Sequence, residues 1–146
     1  MADTTGLSPS LERFLDAQRP TYPAALAELR AGRKTGHWIW FIFPQIAGLG
    51  RSETSRFYAI TSLEEARAYV AHPVLGARLR QCATALLAIE NRSATATDIL
   101  GATDALKLRS SMTLFHRAAS GDPLFREVLD RFFNGIADPA TDERLR

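Results

Sequence analysis

A regular apolar stripe between residues 75 and 89 is the feature that most constrains the fold. Leu75, Leu79, Cys82, Leu86 and Ile89 follow one another at intervals of four, three, four and three residues. This spacing puts all five side chains on one face of an α-helix, because such a helix turns about once every 3.6 residues. The stripe predicts an amphipathic helix that buries this face, with Cys82 as a small buried side chain.

Proline, glycine and capping signals divide the rest of the chain into further helices. A first helix is predicted to begin at Ser8 and Pro9, and a second runs from Thr21 to Gly32, the two forming a hairpin near Pro20. The other predicted helices span Ser52 to Tyr58, Ser62 to Val70, Pro73 to about Glu90, a single turn at Thr95 to Asp98, Thr103 to Ala119, and Pro123 to Asn134. The segment Trp38 to Phe43 fits a strand or a helix, because six residues do not define a period.

Composition narrows the class of protein. A chain of 146 residues with 46% hydrophobic and 23% charged residues is typical of one globular domain. Cys82 is the single cysteine, so an internal disulfide and a CxxC motif are both excluded, which favours a cytoplasmic location. Neither a signal peptide nor a membrane span is predicted, since the longest apolar run has six residues. The three histidines, His37, His72 and His116, share no chelating spacing, and neither a metal nor another cofactor is predicted.

Two long segments of the chain carry basic residues and no carboxylate. Residues 30–52 contain Arg30, Arg33, Lys34 and Arg51, and residues 105–120 contain Lys107, Arg109 and Arg117. The only two lysines of the chain lie in these segments. Positive charge attracts an anion best where no neighbouring carboxylate neutralises it. If the two segments meet in the fold, they are predicted to form one electropositive patch.

The candidate ligand-binding residues lie in these segments. They are Lys34, His37, Trp38, Trp40, Gln45, Gly48, Gly50, Arg51, Ser52, Lys107, Ser110 and Ser111. The lysines would supply charge, the glycine turn backbone N–H groups, and a tryptophan a stacking wall. Structural alternatives stay open: an ordinary turn at 48–52, serines that bond the backbone, tryptophans that belong to the core, and a His37 that only faces solvent.

Three stretches together identify a resemblance: GRKTGHWIWFIFPQIAGLGRS, YAITSLEEARAYVAHPVLGARL and LKLRSSMTLF. They resemble the bacterial family called domain of unknown function 1810, from about Leu11 to Phe133. The resemblance implies an all-α fold and therefore a short helix at Trp38 to Phe43, and it implies no established activity. We expect a compact single-domain bundle of about six to eight helices, orthogonal rather than regular up-down, with an ordered core at about 8–135. Polar tails, frayed from Asp138 onward, are expected at the two ends.

Three functions remain open from the sequence. The first is a pocket for a small anionic ligand, such as a nucleotide or a phosphorylated metabolite, with His37 as the candidate acid–base group should the protein be an enzyme. The second is a protein-interaction module with an exposed aromatic patch around Trp40 or Phe57. The third, nucleic-acid binding, would use Arg30, Arg33, Arg51, Arg109 and Arg117, although a net charge of +2 is small for that role. Oligomeric state is left open.

Overall fold

The computed structural model describes residues 11–146, so the predicted cap at Ser8 and Pro9 lies outside the described residues. Within them the chain forms nine helices and no strand, which confirms the all-α fold class. The helices are α1 (Glu12–Arg30), α2 (Ile39–Ile42), α3 (Glu53–Phe57), α4 (Leu63–Ala71), α5 (Leu75–Leu87), α6 (Ala96–Leu100), α7 (Ala102–Ala118), α8 (Leu124–Phe133) and α9 (Pro139–Arg144). This number exceeds the six to eight that were expected.

The predicted hairpin near Pro20 is wrong, because α1 is one continuous helix through Pro20 and Pro23. Each proline removes one N–H from the helix, and the carbonyl groups left without a partner belong to exposed residues, where water can replace the lost bond. Contacts with the core hold the helix on both sides of the prolines. Phe14 and Leu29 are fully buried, and the Gln18 amide donates to the carbonyl oxygen of Phe41 at 2.7 Å.

The expected frayed tail is also wrong, because residues 139–144 form helix α9. Asp138 caps this helix by accepting a hydrogen bond from the N–H of Thr141, and Pro139 occupies the first turn, where a missing N–H costs nothing. Thr141 is fully buried, and α9 packs against α7. The order of the chain therefore extends well past residue 135.

Helix α7 lies at the centre of the fold and contacts α2, α4, α6, α8 and α9. A line of aromatic rings crosses the core: Phe14 packs on Tyr69 at 5.1 Å between ring centroids, Tyr69 on Phe115 at 5.3 Å, and Phe115 on Phe125 at 5.9 Å. Burial of such rings is the main source of folding free energy in a domain of this size. The apolar stripe of α5 is buried as predicted, including Cys82.

Short helices and tight loops occupy the side of α7 where the candidate ligand-binding residues lie. The segment Trp38 to Phe43 contains the short helix α2, as the family resemblance implied. Ser52 caps α3 by accepting a hydrogen bond from the N–H of Ser55 at 3.0 Å, as its position predicted. These elements bring the loop between α2 and α3 close to α7 and α9.

Candidate functional site

The loop after α1, residues 32–37, is tied down by a carboxylate from the helix before it. One oxygen of Glu28 accepts hydrogen bonds from the N–H groups of Thr35 at 2.7 Å and Gly36 at 2.8 Å, and from the Trp38 indole at 2.9 Å. Burial raises the pKa of Glu28, but these bonds outweigh it and hold the pKa below its usual range. The loop is thus held in place by an acid from outside the acid-free segment.

Lys34 and Lys107, the only two lysines, meet at one carboxylate. The Nζ atom of Lys34 lies 2.8 Å from one oxygen of Asp104, and the Nζ atom of Lys107 lies 3.3 Å from the other. Asp104 stands one residue before the second acid-free segment, so the two segments do meet but are not free of acid in space. Two ammonium groups on one carboxylate still leave a net charge of +1 in this triad.

Lys34 is mostly enclosed by these contacts. Its side chain is 8% exposed, its ammonium group also donates to the carbonyl oxygen of Gly36, and it lies 5.0 Å from the centre of the Trp38 ring. Lys34 therefore joins the loop 32–37 to the first turn of α7, which is a structural role. Lys107 is more accessible and lines a cavity on the other side of Asp104.

That cavity, which we call the Arg51 cavity, lies between the loop before α3, helix α7 and the start of α9. Its volume is about 500 Å³. Six of the residues named from the sequence line it: Gln45, Gly50, Arg51, Ser52, Lys107 and Ser110. The other lining residues are Leu49, Ser55, Thr103, Leu106, Arg109, Asp138 and Ala140.

The charges that line the Arg51 cavity are unequal. Arg51 has no ion-pair partner among residues 11–146, and Arg109 donates to the carbonyl oxygens of Ile136 and Ala137, both at 2.9 Å. A carbonyl group satisfies the guanidinium without neutralising its charge. The one lining acid, Asp138, accepts hydrogen bonds on one oxygen from the hydroxyl of Ser110 at 3.0 Å and from Thr141 in the first turn of α9, and it offsets only one of the three basic side chains. The cavity wall therefore keeps an excess of positive charge.

The turn before α3 determines the shape of the Arg51 cavity but supplies few free hydrogen-bond donors to it. A Cβ atom on Gly50 would lie 2.4 Å from the Cβ of Ser55, so a larger residue at position 50 would displace the first turn of α3. The hydroxyl of Ser52 accepts from the N–H of Ser55 and donates to its hydroxyl. Since α3 has only five residues and this cap, we assign no anion site to its N-terminus.

Four of the named residues line neither the Arg51 cavity nor the second concave surface described below: Lys34, Trp38, Gly48 and Ser111. Trp38 is 2% exposed and belongs to the core, which excludes it as a stacking wall in this conformation. Gly48, with a φ of +99°, is covered by Arg144, whose guanidinium donates to its carbonyl oxygen at 3.3 Å. Ser111 is fully buried, and its hydroxyl has no hydrogen-bond partner among residues 11–146.

His37 and Trp40 line a separate concave surface, which we call the aromatic cleft. Its volume is also about 500 Å³, and its other lining residues are Phe41, Glu53, Thr54, Phe57 and Tyr58. The single site expected from the sequence is therefore divided into two, and His37 does not line the Arg51 cavity. An acid–base role for His37 on a ligand bound beside Lys107 has no geometric basis.

Two acids beside the candidate residues, Asp104 at Lys107 and Asp138 at Ser110, were not predicted from the sequence although local signals for both were present. Asp104 lies three residues before Lys107, which is the spacing of an ion pair on a helix surface. Asp138 followed by Pro139 is a standard helix start and predicts α9. The pattern does not predict that α9 packs on α7 and brings Asp138 to Ser110. The orientation of α7 decides which of its residues line the Arg51 cavity, and the sequence does not determine that orientation. It places Thr103, Leu106 and Arg109 in the wall.

Neither a metal cluster nor a membrane span is found in the described part of the chain. Among residues 11–146, no group of three or more His, Cys, Asp or Glu side chains could hold a metal ion. No helix in that range is both long and apolar enough to cross a bilayer.

Comparison with known proteins gives a family and a closely similar structure. The model of the family described as a protein of unknown function (DUF1810) matches residues 8–145. A crystal structure of the conserved hypothetical protein Rv1873 from Mycobacterium tuberculosis superposes with a TM-score of 0.89 at 45% sequence identity, over 92% of this chain and 95% of that chain. A search of curated proteins found no significant match. The chain therefore belongs to the DUF1810 family.

Proposed function

We propose that the protein binds a small anionic metabolite in the Arg51 cavity. The observation that carries the proposal is the composition of the wall: three basic side chains, Arg51, Lys107 and Arg109, and one carboxylate, Asp138. Asp104 pairs with Lys107 but is shared with Lys34, so the cavity and the triad together keep an excess of positive charge. A partly enclosed site lowers the effective dielectric, so this excess charge attracts an anion more strongly than exposed charges do. A volume of about 500 Å³ is within the range of small-molecule sites.

The lining favours a phosphorylated metabolite over a nucleotide. Arginine and lysine donors suit phosphate oxygens, and the Gln45 amide and the Thr103 hydroxyl offer further polar contacts. Leu49 and Leu106 form an apolar part of the wall for a short carbon skeleton. Since no lining residue is aromatic, the wall offers no ring on which a nucleobase would stack. The proposal is therefore binding of a sugar phosphate or a similar compact anion.

The nucleic-acid alternative is less well supported by the contacts of its five arginines. Arg117 forms a two-point ion pair with Asp142 at 2.8 and 2.9 Å, and Arg109 is bound to two carbonyl groups. Arg30, Arg33 and Arg51 are exposed and have no ion-pair partner among residues 11–146. Three free arginines make a weak electrostatic footprint for a nucleic acid.

A thermal-shift titration tests the binding proposal. The probes are inorganic phosphate, pyrophosphate, a hexose phosphate and a nucleoside monophosphate, each at low ionic strength. A ligand that binds only the folded state stabilises it by mass action and so raises the melting temperature. At a concentration of 100 times the dissociation constant, the free energy of unfolding rises by about 2.7 kcal/mol. We expect the hexose phosphate to stabilise the protein at least as well as the nucleotide.

Two variants and one matched control locate the site. Arg51→Gln and Lys107→Gln each remove one charge from the cavity wall, and each should weaken the best probe about tenfold, the usual effect of losing a charge-assisted contact. Arg33→Gln removes an exposed arginine that does not line the cavity and should leave binding unchanged. A probe whose stabilisation survives both cavity variants, or falls equally in Arg33→Gln, would contradict the proposal.

A further inference from the structure

We infer that the aromatic cleft is a second binding site, one that takes a small organic cation with methyl or other alkyl groups on its nitrogen. The cleft is lined by the rings of Trp40, Phe41, Phe57 and Tyr58 together with the carboxylate of Glu53. It lies apart from the Arg51 cavity, with no lining residue in common, and its ligand has the opposite charge. The inference is thus independent of the proposed anion site.

The rings form walls in more than one direction. The planes of Phe57 and Tyr58 meet at 86° with centroids 4.8 Å apart, and those of Phe41 and Tyr58 meet at 55° with centroids 5.2 Å apart. Rings at such angles form a corner, whereas parallel rings would leave only a flat surface. Trp40 is half-buried on the same cleft and adds the ring type that binds a cation most strongly.

The exposure of Phe57 is not explained by the core. Phe57 is 58% exposed, although its ring contacts that of Tyr58, which packs against the core. Phe57 is one of the few large apolar side chains in residues 11–146 that remain so accessible. A ring face that no other part of the described chain covers is available to a ligand.

The charge of the cleft selects a cation. Glu53 is exposed and has no ion-pair partner among residues 11–146, so its negative charge faces solvent at the edge of the rings. The guanidinium of Arg13 donates to the carbonyl oxygen of Phe57 at 2.8 Å, but it is paired with Glu65. An apolar cation satisfies both features, because its alkyl groups cover the rings while its charge is attracted by ring faces and carboxylate. A fully hydrated ammonium ion would lose more water than the rings replace.

Nuclear magnetic resonance of the two tryptophan indoles tests this inference with an internal control. Choline is titrated into uniformly ¹⁵N-labelled protein at pH 8, where an ordinary imidazole is uncharged. The indole signal of Trp40 should shift with a dissociation constant on the order of 1 mM, a typical value for a ligand with few contacts. The indole of Trp38, which is buried and bound to Glu28, should not move. The neutral analogue 3,3-dimethylbutan-1-ol, which has the same shape without the charge, should bind at least about fivefold more weakly.

Matched variants separate the charge of Glu53 from a general effect of removing an acid. Glu53→Gln should weaken choline about threefold to fivefold. Trp40→Leu, followed through the backbone amide signals of the cleft because the indole is gone, should weaken it about tenfold. Glu64→Gln removes an exposed acid from the first turn of α4, outside the cleft, and should leave choline binding unchanged. Equal affinity for choline and its neutral analogue would overturn the inference, as would an unchanged affinity in Glu53→Gln. A Trp40 signal that does not respond to choline would overturn it as well.

Discussion

Replacing Asp104 with asparagine should destabilise the protein more than removing either lysine that it binds. The side chain of Lys34 is 8% exposed and that of Asp104 is 18% exposed, so the Asp104→Asn variant leaves an ammonium group without its counter-ion and largely out of water. Breaking a buried ion pair from one side costs about 3–5 kcal/mol. Because asparagine still accepts one hydrogen bond and Lys107 is able to turn toward solvent, we expect a cost below that range, about 2–3 kcal/mol.

The lysine variants should cost less because each leaves a complete ion pair behind. Lys34→Met keeps Lys107 on Asp104 and places an apolar side chain against the Trp38 ring, so we expect about 1 kcal/mol or less. Lys107→Met keeps the shorter contact between Lys34 and Asp104 and should cost a similar amount. The double variant Lys34→Met with Asp104→Asn should be about 1–2 kcal/mol more stable than the sum of its single variants predicts, since the stranded charge is gone.

Urea unfolding followed by far-ultraviolet circular dichroism measures these differences. Asp130→Asn is the matched control, because its ion pair with Arg126 spans 3.9 Å and its side chain is 54% exposed. That control should change the free energy of unfolding by less than about 0.5 kcal/mol. If Asp104→Asn lowers the free energy of unfolding no more than Lys34→Met does, or no more than the control does, the ammonium group of Lys34 does not depend on Asp104 as its counter-ion.

Three further predictions concern packing, reactivity and pH. Gly76→Ala should destabilise the fold by about 2–3 kcal/mol in urea unfolding, because its Cβ would lie 2.0 Å from a carbonyl oxygen of α4; Gly121→Ala, which meets nothing within 4 Å, should be nearly neutral. Burial raises the pKa of the Cys82 thiol to about 12, so Ellman's reagent at pH 8 should label it only when urea unfolds the chain, and rapid labelling without urea would contradict its burial. The hydrogen bond from Arg117 lowers the pKa of Asp142, so this pair stabilises the fold above about pH 4 and loses its effect as the pH falls below that value. Arg117→Gln should remove that part of the acid sensitivity, at most about 1 kcal/mol because both side chains are partly exposed.

Local signals predicted most of the helices because their causes are local. Ser52 and Ser62 each cap a helix by accepting the N–H three residues on, and Thr95 and Asp98 form a complete capping box. The stripe around Cys82 needed only the helical period. The failure at Pro20 has a different cause: contacts of Gln18 and Phe14 with distant parts of the chain outweigh the local cost of the proline.

The candidate site was harder to predict because charge acts through space. The acid-free segments were real in the sequence, yet Asp104 pairs with Lys34 and Glu28 binds the N–H groups of the first segment, both from positions just outside the two segments. In the structure Lys34 is enclosed and has a structural role, whereas Lys107 lines the Arg51 cavity. No pattern in the sequence distinguishes the two lysines in this way. The division between His37 and Lys107 likewise depends on the orientation of α2 and α3, which no local pattern specifies.

The most direct test of the proposed anion site is a titration of ¹⁵N-labelled protein with pyrophosphate at low salt. We predict saturable shifts of the amide signals of the lining residues 49–52, 106, 107, 109 and 110 of the Arg51 cavity, together with an unchanged Trp40 indole signal in the aromatic cleft. The shifts should weaken strongly as salt is added, since the attraction is electrostatic. Saturable shifts confined to other surfaces, or no saturable shift at all, would contradict the claim that the Arg51 cavity binds a small anion.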